Sequence, residues 1–171
     1  MRVPRKDIRS NRVVLISFCL LCQAYQAEGI VRDHPAAVKP VLDVLLDRDV
    51  NMVQLPCPET LFSGLRRQPA GFGFYDTPEF RRHCSDLAEG ILQTVRTMTD
   101  GGLQILAVIG VEFSPSCAVK YQYSGRLVKR RGLFMEALDT CLTGAGYGIP
   151  LVGVTRHGTG PAVRELVRLL A

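Results

Sequence analysis

Hydrophobic positions fall along this chain in two alternating rhythms. Four short runs, "RVVLISFCL" (12–20), "VNMVQLP" (50–56), "LQILAVIGVEF" (103–113) and "IPLVGVTR" (149–156), are rich in Val, Ile and Leu and show no clean in–out alternation. Unbroken apolar runs of this kind mark strands buried on both faces, as in a parallel sheet. Helical spacing fills the intervals. "HPAAVKPVLDVLLDRD" (34–49) places Val38, Val41, Leu42, Leu45 and Leu46 on one face, with Pro35 suited to an early turn. The stretch 77–102 offers Thr77 as N-cap, Pro78 as first helical residue and Glu79 in the first turn, and it stops at Gly101-Gly102. "GLFMEALDTCLTGAG" (132–146) and "GPAVRELVRLLA" (160–171) are two further helices.

Strand alternating with helix predicts an α/β fold: a single-domain open, mostly parallel sheet with helices on both faces, Rossmann-like in plan. The expected division is a basic N-terminal arm over 1–11 and one domain over 12–171. Two stretches break the rhythm. "ETLFSGLRRQPAGFGFYD" (59–76) reads as a long loop, and "AVKYQYSGRLVKRR" (118–131) as a small hairpin turning at Ser124-Gly125. Loops of this length in a compact domain usually serve function. Both would lie at the carboxyl edge of the sheet.

Composition narrows the class. The 171 residues are 47% hydrophobic, enough for a substantial core and against disorder. No apolar run reaches the length of a membrane-spanning helix. The run after the basic start has no small-residue cleavage site behind it, so it is read as the first strand, not a signal peptide, and a cytoplasmic location is expected. A net charge of +5 and a pI of about 9.0 suit an anionic ligand or simply a solvated basic surface. Monomer or homodimer are both compatible with the chain. The six cysteines are expected to be reduced or metal-bound, since a chain this large and apolar does not need disulfide staples.

The placement of those cysteines changes the picture most. Cys19 closes the first predicted strand, Cys57 follows the second in "LPCPET", and Cys117 follows the third in "SPSC". Open α/β sheets bind ligands beyond the carboxyl ends of their strands, so the plan brings three thiols to one rim. Three thiolates suit zinc or an iron–sulfur cluster, and fewer than four leave a coordination position open for chemistry. The competing account is three small buried hydrophobes. Cys84 and Cys141 sit inside helical patterns, where packing accounts for them. Cys22 makes a Cys-Leu-Leu-Cys pair with Cys19 and is the alternative first ligand. His157 is a further rim residue; His34 and His83 read as structural.

"CLL", "CPE" and "SPSC", in this order after successive strands, together resemble the thiouracil desulfurase family, a small α/β domain. The resemblance implies a 4Fe-4S cluster held by Cys19, Cys57 and Cys117, with one iron lacking a protein ligand. It also implies that Glu59 and Ser116 act in the chemistry: non-redox replacement of sulfur by oxygen in a thiolated small molecule. Departures spare the cysteines. Ala118 follows "SPSC" where glycine is usual, and "TLFSGLRRQPAGF" replaces a Gly-Gly-Leu-Pro-Thr-Pro-Arg stretch, so the chain resembles a divergent member. Arg66, Arg67 and Tyr75 are the expected substrate contacts, the arginines for an anionic group and the tyrosine, or Phe74, for ring stacking. The alternative function is a non-catalytic metal- or cluster-binding module that is structural or senses redox state. A third reading, action on thiolated tRNA through the basic loops, requires steeply salt-dependent binding.

Overall fold

A computed structural model of the chain describes residues 7–171; the first six positions of the expected basic arm lie outside the described residues. The chain enters through β1 (Arg12–Ser17), makes one helical turn, α1 (Phe18–Leu21), and returns through α2 (Lys39–Leu46) to β2 (Asn51–Leu55). Two short helices, α3 (Pro58–Ser63) and α4 (Phe72–Tyr75), precede the long α5 (Pro78–Asp100) and β3 (Gln104–Val111). The hairpin β4 (Tyr121–Tyr123) and β5 (Leu127–Lys129) leads into α6 (Leu133–Gly144), β6 (Leu151–Val154) and α7 (Gly160–Leu169).

The sheet has the order β2-β1-β3-β6, and every neighbouring pair is parallel. In β1, Val13, Val14, Leu15 and Ile16 are all buried, as a central strand covered on both faces requires. Right-handed crossovers then dictate the layers. The β1-to-β2 step runs one way across the sheet, and the β2-to-β3 and β3-to-β6 steps run the other way. Their helices must therefore cover opposite faces. Accordingly α2 packs with α7, and α5 with α6. The buried positions of α5, Phe80, Cys84, Ala88, Ile91, Leu92 and Val95, recur every three or four residues and make one stripe. Cys84 belongs to that stripe, in keeping with its packing role.

Several local expectations are met at the level of atoms. Thr77 caps α5, its Oγ1 accepting the Phe80 N–H at 3.2 Å. The hairpin pairs Tyr121 with Lys129 and Tyr123 with Leu127 around Gly125, whose φ is 70°. Two expectations are corrected. The helix drawn over 34–49 begins only at Lys39, with Pro40 in its first turn. His34 has φ 55°, and Pro35 after it disfavours the helical conformation at His34. The segment 59–76 is no plain loop: Pro58 and Glu59 open α3, and Phe72–Tyr75 form α4.

Candidate functional site

Chain direction opens a crevice in this sheet. From β1 the chain goes to β2 on one side, while β3 lies on the other, so β1 and β3 flank a topological switch point. Cys19 lies in α1 directly after β1. Cys57 is the N-cap residue of α3, just past β2. Cys117 lies in the turn that follows β3. All three line one cavity of about 190 Å³, together with Glu59, Arg67 and Ser116.

The turn that carries Cys117 is tightly built. Ser114 Oγ accepts the Cys117 N–H at 3.0 Å and the Ser116 N–H at 3.3 Å. The Ser116 carbonyl accepts the N–H groups of Phe134 and Met135, tying the turn to the start of α6. Gly132 makes this approach possible. A Cβ there would lie 2.5 Å from the Ser116 oxygen, and a Cβ at Gly110 would lie 2.4 Å from the Cys117 oxygen.

Glu59 is the hub of the polar side. Its Oε1 accepts hydrogen bonds from Ser116 Oγ at 2.6 Å and Ser114 Oγ at 3.1 Å, and its Oε2 faces Arg67 Nε at 3.3 Å. The other nitrogens of Arg67 donate to Thr60 Oγ1 at 2.7 Å and the Tyr25 carbonyl at 3.0 Å. Ser116 Oγ also lies 3.5 Å from Cys117 Sγ, so one hydroxyl stands between carboxylate and thiol. Thr60 Oγ1 lies 3.2 Å from Cys57 Sγ.

The thiols sense one another. Burial pushes Cys19 up to about 12, with the charges of Cys57 and Glu59 adding and Arg156 opposing. Burial likewise pushes Cys117 well above the ordinary thiol range; Cys19 and Cys57 add to this, and the Ser116 hydrogen bond opposes it. Among the described residues, no three His, Cys, Asp or Glu side chains gather closely enough to hold a single ion. The three thiol-bearing residues instead line one cavity. A cubane cluster binds each thiolate through a different iron, so its ligands stand apart around a cavity. The donor set, three soft thiols beside one cavity, fits such a group.

The chain matches no protein-family model. Over 129 residues it is 29% identical to an uncharacterized protein of Methanocaldococcus jannaschii, a match covering 75% of this chain and 76% of that protein. Its structure is similar to that of TudS, a 4Fe-4S-dependent thiouracil desulfidase, with a TM-score of 0.52 and 20% identity over 92% of this chain and 99% of the other. The two chains share this α/β fold. The resemblance in "CLL", "CPE" and "SPSC" points to the same architecture from the sequence side.

On this frame the expected residues fall unevenly. Cys19, Cys57, Cys117, Glu59, Ser116 and Arg67 meet at the cavity; Cys22 and Arg66 are not part of its wall, and Arg66 is exposed. Arg67 is only 8% exposed, and its donors are engaged by protein groups. Tyr75 is corrected outright as a stacking platform: it is 1% exposed, its ring packed beside Phe80 in the core. Phe74 is exposed but is not part of the cavity wall. His157 pairs with Asp33 at 2.5 Å on the surface. Ser114, Gln26, Phe113 and Arg156 line the cavity without having been singled out in the sequence. Arg156 was within reach of the strand-end rule, being the second residue after β6. Gln26 follows the Cys-Leu-Leu-Cys pair by four residues, but no spacing or residue type there marks it, because it sits in an irregular segment whose direction only the fold decides.

Proposed function

We propose that this protein is an iron–sulfur-dependent, non-redox desulfurase that converts a thiolated nucleobase or nucleotide to its carbonyl counterpart and releases sulfide. The observation that carries the reading is the meeting of Cys19, Cys57 and Cys117 with the Glu59–Ser116 pair on one cavity. The three cysteines are the groups that would hold a 4Fe-4S cluster. When bound, such a cluster supplies a Lewis-acidic iron for the thiocarbonyl sulfur. The remaining work falls to the chain itself. Glu59, held in place by Arg67 and two serines, takes a proton from the attacking water. Ser116, 2.6 Å from that carboxylate, relays protons between Glu59 and the departing sulfur. The balance is C=S plus water to C=O plus hydrogen sulfide, with no electron transferred.

Anaerobically prepared protein should be brown, with about four irons per chain. It should release sulfide from 4-thiouracil, and Cys117→Ala should abolish both properties. Glu59→Gln should keep the iron and lose turnover. A colourless protein that takes up one zinc, refuses iron and releases no sulfide would replace this reading with that of a metal-binding module.

A further inference from the structure

Two buried donors on the cavity wall have no protein partner. Gln26 Nε2 and Arg156 Nη1 are shielded from solvent, and among the described residues neither makes a hydrogen bond. A buried donor left unmet is costly, and a guanidinium more so than an amide. The contrast with Arg67 is instructive, because that arginine, on the same cavity, spends its donors on Glu59, Thr60 and Tyr25.

An aromatic side chain completes the wall. Phe113 follows β3 in a turn closed by the Ser114 N–H on the Val111 carbonyl, and its φ is 67°. That conformation usually falls to glycine, so the turn holds a bulky residue there at a backbone cost. The backbone is pinned by the Phe113 N–H donating to the Tyr121 carbonyl at 3.0 Å, while the residue remains 42% exposed. Phe113 is the aromatic residue of the cavity wall.

We propose that Gln26 and Arg156 are the specificity-determining grip for the substrate, binding the lactam edge of a planar heterocycle whose face lies against Phe113. A primary amide presents a donor and an acceptor side by side, which matches the adjacent N–H and C=O of a lactam. The guanidinium supplies a further donor and a positive charge, suited to a ring carbonyl or a deprotonated ring. The phenyl face takes the ring plane. Specificity follows, because a site built to pair a lactam rejects a ring that leaves its buried donors unmet. The identity of the sulfur-bearing ring rests on the desulfurase reading above; the grip itself needs no cluster.

Uracil is the deciding probe, since it has the lactam edge and no sulfur. Calorimetry on cluster-free and on cluster-loaded protein should show it binding to both. Gln26→Ala and Arg156→Gln should each weaken that binding about tenfold or more. In the loaded enzyme, Gln26→Ala should raise KM for 4-thiouracil with kcat and iron content held. The same change should also erase the preference for 4-thiouracil over 4-thiopyridone, which has no ring carbonyl and so no lactam edge. Absence of uracil binding by the wild-type protein overturns the proposal, and so does unchanged affinity in both variants. Sulfide release with KM indifferent to both substitutions would leave the desulfurase standing and remove the grip. Uracil binding that depends on Gln26 and Arg156, in a protein that releases no sulfide, would do the reverse.

Discussion

Arg67 illustrates what a single residue's surroundings decide. In the sequence it is a basic loop residue of the kind that grips anions. In the fold it is buried against Glu59, with both side chains largely removed from water. Removing one member of a buried ion pair strands the other, so Arg67→Ala should cost about 3 kcal/mol of unfolding free energy, read from a denaturant midpoint. The cysteines make a second case. With no metal bound, Cys19 loses its proton near 12 when folded, against an ordinary thiol value of 9.0. Between those limits the unfolded chain gives up the proton and the folded chain keeps it. The contribution is therefore complete below about pH 9 and is lost as pH rises toward about 12. Cluster-free protein should thus be measurably less stable at about pH 10 than at about pH 8, and Cys19→Ala should lessen that slope, with buried Cys84 and Cys117, raised by the same cause, supplying the rest. Cluster uptake, which requires thiolates, should release protons for the same reason.

At the scale of elements, glycine positions separate legible from illegible. Gly90 lies exposed inside α5 with nothing near its missing Cβ. Gly90→Ala should stabilise the protein by about 1 kcal/mol, seen as a raised thermal midpoint. Gly132 looks equally ordinary in the sequence, yet a Cβ there would meet the Ser116 carbonyl carbon at 2.4 Å. Gly132→Ala should displace the turn carrying Cys117 and lower the iron bound per chain. Caps and stops were readable in advance: Thr77, Pro78 and Gly101 bound α5 where their chemistry says they should. The start of α2 was not. Its apolar spacing extends back through Val38, and only the positive φ at His34 and the bonds of the 22–38 segment to α1 show that the helix must wait until Lys39.

For the molecule as a whole, the sheet order sets the energetics of loading. β1, β2 and β3 each deliver one thiol to the cavity, so a bound cluster would tie three strand ends together. A group that binds only the folded chain raises its stability by mass action. Loaded protein should therefore melt several degrees above cluster-free protein, and chelation of iron should return it to the lower midpoint. Substitution of Cys84, which packs in the α5 stripe away from the cavity wall, should leave that difference intact.

The division between sequence and structure follows the range of the forces involved. Periodicity, caps and turn residues act over a few neighbours, so four buried strands, the hairpin, α5 and the strand-end placement of Cys19, Cys57 and Cys117 could all be read from the order of residues. Which side chains share a cavity depends on contacts dozens of residues apart. Glu59 joins Ser114 and Ser116 across the sheet edge, Tyr75 turns into the core, and Gln26 comes to stand on the same wall as Arg156. No local pattern records those meetings. They are decided when the parallel strands pair, because strand order alone determines which loops end up side by side.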